Sequence, residues 1–263
     1  VNKNQDPRAE AFLRLLTIMD ELRAECPWDR EQTTASLRHL TLEESYELSE
    51  AILEGNPDEI KKELGDLLLH IVFYSKIGSE EGTFDITSVI QSLCDKLIHR
   101  HPHIYGEVKV QNSEQVKENW EMLKLQEKKD KRVLDGVPAG LPALVKALRI
   151  QDKAANVGFD WEKPEQVWEK VQEEMLELQE AIGNVEHKAQ KEEEMGDLIF
   201  ALVNYARFIG VNPEDALEKT NRKFIRRFAY VEEKALEAGK RLKDLSLAEM
   251  DIWWEEVKMN EKM

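Results

Sequence analysis

The sequence predicts an all-α protein made of two tandem helical domains, and three observations carry that reading. An acidic decapeptide occurs twice, EESYELSEAI at 43–52 and EEMLELQEAI at 173–182, with seven of ten positions identical. A second acidic element follows each copy, ELGD at 63–66 and EMGD at 194–197, so the offset between copies grows only from 130 to 131. Apolar residues recur at three- and four-residue spacing through most of the chain, and no segment of strand period stands out. A chain of 263 residues holds one large domain or two of about 130, and the repeat selects two.

The elements follow in order. Phe12, Leu15, Leu16, Met19 and Leu22 mark an amphipathic helix over 11–23, broken by Cys26-Pro27-Trp28-Asp29. A second helix covers 40–53 and closes at Gly55. Asn56-Pro57-Asp58-Glu59 then reads as a helix start, with Asn as N-cap and Pro at the first helical position. That helix runs through ELGD into LLLHIVFYS. A fourth covers 84–98, ending near Pro102, and a fifth covers 113–131. Asp135-Gly136-Val137-Pro138-Ala139-Gly140-Leu141-Pro142 cannot be helix interior. The domains are therefore 8–131 and 143–263, with a linker at 132–142. The second half repeats the plan: a helix over 144–157, a break at Gly158-Phe159-Asp160-Trp161, helices over 167–182, 186–208 and 213–236, and a last helix from Leu247.

Composition narrows the function. The net charge of −16 argues against a nucleic-acid surface, which needs clustered Lys and Arg. Cys26 and Cys94 form no C-x-x-C, which fits a reducing compartment better than a disulfide scaffold, and Cys26 reads as a small buried residue. The stretches 67–75 and 198–206 are about half the length of a membrane span. With no secretory leader in view, the expected location is cytoplasmic, away from membranes.

The acids carry the chemistry. Glu44 and Glu47 are three apart and share one helix face, as do Glu63 and Asp66 on the next helix. A short turn makes these helices antiparallel neighbours, so the pairs can converge. The second half offers Glu174 and Glu177 against Glu194 and Asp197. Four carboxylates at one point repel unless a divalent cation lies between them, and oxygen-only ligands suit Mg²⁺ or Mn²⁺ rather than zinc. Glu-rich helices are usually solvated faces. Here, however, Asp66 and Asp197 each lead into nine residues without formal charge, poor placement for solubility alone. Gly65 and Gly196 precede those Asp residues inside helices, at a cost of about 1 kcal/mol relative to Ala, for which close helix approach is the expected reason.

A substrate for such sites should be anionic. Lys170 lies one turn before Glu174, Lys188 and Lys191 precede Glu194, and Arg222, Lys223, Arg226 and Arg227 cluster later. Lys61, Lys62, Lys96 and Arg100 are the first-half counterparts. Most of these read as surface ion pairs; Lys223 and Arg227, four apart on one face, are the best phosphate contacts. Trp28 and Trp161 recur beside the first break of each half, as packing or as pocket walls.

These residues resemble the MazG family of nucleoside triphosphate pyrophosphohydrolases, within the all-α NTP pyrophosphatase superfamily. The likeness spans nearly the whole chain: LLTIMDELRAECPWDREQT, the EExYE and ELGD elements, HRHPHIYG at 99–106, GVPAGLPALVKALRIQDKAANVGFDW, EEEMGDLIFALVN and NRKFIRRF. It implies two tandem MazG-like domains with four-helix-bundle cores completed in a homodimer. It implies Mg²⁺-dependent hydrolysis of ribo- and deoxynucleoside triphosphates of broad base range to monophosphate and pyrophosphate. Carried over by motif, the metal ligands are Glu174, Glu177, Glu194 and Asp197, with Glu44, Glu47, Glu63 and Asp66 in the first half. Nucleotide contacts fall on Lys170, Lys223, Arg227 and Trp254. Gln190 stands where the family often has Lys, and Lys191 flanks it. The second half is the expected seat of turnover.

The mechanism expected is attack of a water on the α-phosphorus at the carboxylate-held Mg²⁺, with Glu174 or Glu177 as general base. Trp254 or Trp253 would stack on the base, or pack in the core. Two alternatives stand beside this: a pyrophosphatase specific for one nucleotide, of dUTP or phosphoribosyl-ATP type, and a non-catalytic nucleotide-sensing protein.

Overall fold

The computed structural model describes residues 6–112, 115, 116, 119, 120, 123, 132–183 and 188–261, and among them every regular element is helical. The chain divides into two compact units, Val1–Val116 and Lys117–Met263. No described helix is long and apolar enough to cross a membrane.

The first unit contains α1 (Pro7–Glu25), α2 (Pro27–Glu31), α3 (Thr34–Glu54), α4 (Pro57–Glu80), α5 (Ile86–Arg100) and α6 (Pro102–Tyr105). Cys26 caps α1 and at once starts the short α2, so the CPWD break is a helix junction. Cys26 itself is only half-buried, not the core residue expected, because this junction lies at the surface. Helix α3 begins six residues before Leu40, through a reciprocal Thr33–Ser36 capping box, and ends on Gly55 at φ 68°. Asn56 caps α4 as its sequence foretells, accepting from the backbone N–H groups of Asp58 and Glu59.

Apolar burial packs α1, α3 and α4 around Met19, Leu37, Val72, Phe73 and Ile77. Phe84, in the loop after α4, lays its ring tip over Gly78 while staying 43% exposed, and an added Cβ there would meet the ring at 2.7 Å. Gly65 and Gly196 are different. A Cβ at either would meet open space, so within one chain no close helix approach accounts for them, contrary to expectation.

In the second unit a 3₁₀ turn, Val133–Gly136, precedes α7 (Ala143–Ala155), α8 (Pro164–Gly183), α9 (Lys188–Phe208), α10 (Pro213–Glu237) and α11 (Leu247–Asn260). The Pro/Gly segment is folded onto this unit: Lys153 Nζ donates to Val133 O at 3.2 Å and Lys146 Nζ to Ala139 O at 2.7 Å. The helix expected over 113–131 lies largely outside the described residues, as does the α8–α9 turn at 184–187. Helices α8 and α9 pair as α3 and α4 do, which sets both acidic elements face to face.

Candidate active site

In each unit the acid-bearing helices bring three carboxylates together. Glu44, Glu63 and Asp66 each offer an oxygen, all within 4.8 Å of one another; Glu174, Glu194 and Asp197 do the same. The three-residue spacing of Glu63 and Asp66, and of Glu194 and Asp197, puts both acids of the second helix on the side facing the first, and burial holds one acid of each trio in place. Glu63 is 3% exposed and Glu174 6%.

The electrostatics reflect crowding. Burial, then repulsion from Asp66, Glu47 and Glu63, raises the Glu44 carboxyl above its ordinary value. Glu177 is raised too, by desolvation and then by the neighbouring Glu174. Glu47 and Glu177 thus stand beside the trios without joining them.

The donor set fits a hard divalent cation. All ligand atoms are carboxylate oxygens, and Glu63 Oε2 is buried with no hydrogen-bond partner. A buried carboxylate oxygen left in that state calls for a positive charge.

The two trios are neutralised differently. Lys62 Nζ lies 2.8 Å from Glu63 Oε1 in the first unit. In the second, Lys170 bridges Glu173 and Glu174 at 2.8 and 2.7 Å, and these acids raise its ammonium pKa. The repeat offset puts Leu40 at the Lys170 position and Glu193 at the Lys62 position.

A cavity of about 600 Å³ opens beside the second trio, its wall including Lys170, Glu174 and Asp197. Beyond these polar groups the wall turns apolar, with Phe159, Trp161 and Phe200. Asp160 and Arg207 brace it, Nη1 to Oδ2 at 3.0 Å. Asn204 and Gln151 complete it and escaped the sequence reading. The available signal was Asn204, the one amide in the uncharged run 198–206. At the repeat-equivalent positions of Ala201 and Asn204 the first unit carries the buried His70 and Phe73.

Lys191, Lys223, Arg227 and Trp254 do not line this cavity. Lys223 is exposed on α10. The Arg227 guanidinium lies 5.9 Å from the Trp254 ring centre and binds Glu261, as Arg226 does, tying α11 to α10. Trp254 also packs on Phe224, ring centres 5.1 Å apart. Among the nucleotide contacts expected from sequence, only Lys170 is in the wall.

A profile of the MazG nucleotide pyrophosphohydrolase domain matches residues 32–105 and again 162–231, more than half the chain. The chain belongs to the MazG nucleotide pyrophosphohydrolase family. Both MazG matches contain a complete carboxylate trio, whereas Gln151, Phe159 and Trp161 precede the second match. Among its relatives, the nucleoside triphosphate pyrophosphohydrolase of Escherichia coli (strain K12) is 45% identical over 255 residues, 94% of this chain and 97% of the relative. The nucleoside triphosphate pyrophosphohydrolase/pyrophosphatase MazG of Thermotoga maritima is 46% identical over 252 residues, 94% of this chain and 95% of that one. The Bacillus subtilis protein YabN is 47% identical over 255 residues, 95% of this chain but 52% of that longer protein.

Proposed function

We propose that this protein hydrolyses nucleoside triphosphates, ribo and deoxy and of broad base range, to the monophosphate and pyrophosphate, and that the second unit performs the reaction. The coarser reading, a hydrolase of phosphoric anhydrides, rests on family membership and on the names of the E. coli and T. maritima relatives. The finer one rests on a single observation: the Glu174, Glu194 and Asp197 oxygens converge beside a cavity of about 600 Å³, roomy enough for a nucleoside, whose wall also holds Lys170.

Glu174, Glu194 and Asp197 would hold the metal. Bound Mg²⁺, or Mn²⁺ in its place, would supply charge compensation to the triphosphate and lower the pKa of a bound water. Lys170, shared between two carboxylates in the ligand-free unit, can exchange one of them for a phosphate oxygen. Glu177 stands beside the trio with its carboxyl raised by desolvation and then by repulsion from Glu174, and in this reading it accepts the proton of the water attacking the α-phosphorus. The bond to the pyrophosphate oxygen breaks as the new P–O bond forms. Phe159, Trp161 and Phe200 offer the base an apolar seat of aromatic faces, which is tolerant of base identity.

The same proposal includes a homodimer. Leu64, Leu68 and Ile71 of α4 are exposed, and so are their repeat equivalents Met195, Ile199 and Leu202 of α9. That i, i+4, i+7 spacing is an apolar helix stripe, here duplicated and uncovered, and a second copy of the chain is its proposed cover.

The test is pyrophosphate release from eight ribo- and deoxynucleoside triphosphates, with Mg²⁺ and with EDTA. Release from most of the panel, lost in EDTA, is expected. One strong substrate among blanks would replace the broad reading with a specialist, and binding without release would replace it with a sensor.

A further inference from the structure

We propose that the Asp160–Arg207 ion pair is a latch that holds residues 158–161 against α9 as the nucleoside end of the cavity. Both are then positioning residues for the nucleoside rather than for the phosphates; this rests on the function proposed above.

The latch lies at the end of the cavity away from the acids. Asp197, Phe200, Asn204 and Arg207 follow one another at three- and four-residue steps on α9, and all belong to the lining. From Asp197 to Arg207 that stripe rises about 15 Å. The carboxylate trio marks one end of it and the ion pair the other. Asp160 already neutralises Arg207, so the far end offers a phosphate no free positive charge.

Gly158, Phe159, Asp160 and Trp161 also line the cavity. Gly158, at φ 85°, turns the chain off the end of α7, where the Phe159 N–H donates to Ala154 O at 3.0 Å. At the start of α8, Gln166 Oε1 accepts from the N–H groups of Glu162 and Lys163 at 3.0 and 3.1 Å. Between these two anchors Asp160 ties the segment to a third helix, its Oδ2 accepting from Arg207 Nη1 at 3.0 Å. Among the described residues no other side-chain hydrogen bond joins 158–161 to another helix. Helix α9 fixes its own half of the latch. Arg207 Nε and Nη2 donate to Asn204 Oδ1 at 3.1 and 2.9 Å, and the guanidinium lies 4.6 Å from the centre of the Phe208 ring. Arg207 thus decides where Asp160 stands, and with it the chain neighbours Phe159 and Trp161. Phe159 keeps 82% of its surface in water beside this tether, a large ring that a bound nucleoside would cover. Holding the segment in place beforehand spares the nucleoside the cost of ordering it.

The test compares Asp160→Asn, Arg207→Met and the double variant, in Mg²⁺, by steady-state kinetics with ATP. Calorimetry adds the binding of α,β-methylene-ATP and of inorganic tripolyphosphate, which has phosphates and no nucleoside. Each single variant is expected to raise KM about tenfold with kcat within about threefold, and to weaken α,β-methylene-ATP about tenfold while tripolyphosphate stays within about twofold. The double variant should be no weaker than the singles, because both side chains serve one contact. Comparing two anionic ligands in the same variant cancels the change of charge. Arg207→Met also strips Asn204 of its donors; should it not fold, Asp160→Asn, which keeps the size and shape of the side chain, decides alone. Unchanged nucleotide affinity, parallel loss of both ligands, or losses that add in the double variant overturn the latch. The expected binding pattern in a protein that releases no pyrophosphate would refute the hydrolytic function alone.

Discussion

Lys170 Nζ stands 2.7 Å from Glu174 Oε1, and the equivalent place in the first unit, one turn before Glu44, is taken by Leu40. One trio therefore carries a cation on the cavity side and the other does not. Lys170→Met should lower kcat/KM for nucleoside triphosphates about a hundredfold, through loss of a charged contact to the phosphates in an apolar site. It also leaves Glu174 unpaired, so metal-free stability should drop by about 1 kcal/mol, a value kept small because Lys170 is partly exposed. Steady-state kinetics and urea melts in EDTA read the two effects.

The repeats are equal in carboxylates and unequal in several residues beside them, Leu40 against Lys170 and Phe73 against Asn204 among them. Glu174→Gln should reduce pyrophosphate release at least a thousandfold with helical circular dichroism intact. Glu63→Gln should leave most of it, since His70 and Phe73 occupy the first-unit positions that are Ala201 and Asn204 in the cavity wall. A large activity left in Glu174→Gln that a further Glu63→Gln removes would show that the first unit also turns over.

Crowded acids give the protein a pH-dependent response to metal. Glu44 and Glu177 are both raised in the folded chain. A raised acid contributes stability that is complete below its ordinary pKa and is lost as pH climbs through the raised value. A divalent cation needs the ionised form, so its effect runs the other way. The Tm difference between Mg²⁺ and EDTA should be small near about pH 4.5 and reach its full size by about pH 7.5. Differential scanning fluorimetry across that range measures it, and a difference that shrinks with rising pH would contradict the carboxylate assignment.

Gly78 is occupied by contact. An added methyl group would sit 2.7 Å from the tip of the Phe84 ring, which covers the buried Gly78 and would have to be displaced. Gly78→Ala should destabilise that unit by about 1–3 kcal/mol despite the better helix propensity of alanine. Pairing it with Phe84→Leu should recover part of the loss in chemical denaturation.

The duplicated apolar stripe makes a prediction about mass. Wild-type protein should scatter light as twice the chain mass of 30.6 kDa, and a charge at Ile199 together with one at Leu202 should shift the population to monomer. A monomeric wild type would mean that the stripe is covered in some other way.

Much of the protein was legible from local pattern. Asn56-Pro57 and Gly55 marked the ends of α3 and α4 because caps and left-handed turns are made by the residues themselves. Glu44, Glu63, Asp66 and their second-half partners could be named because helical spacing converts sequence separation into a shared face. The same logic misjudged Gly65 and Gly196, whose surroundings are set by whatever approaches the helix rather than by the helix. Spacing alone likewise gave no sign that Arg227 pairs with Glu261 and Trp254 packs on Phe224 in the ligand-free chain.

The sequence by itself determined the helical duplication, the helix termini and the identity of the acids, because these depend on interactions within a few residues along the chain. Only the tertiary structure decided which oxygens converge, that a cavity opens beside the second trio, and that Asn204 and Gln151 belong to its lining. Those features arise where α7, α8 and α9 meet, and packing between helices distant in sequence leaves no periodic signature in any one of them.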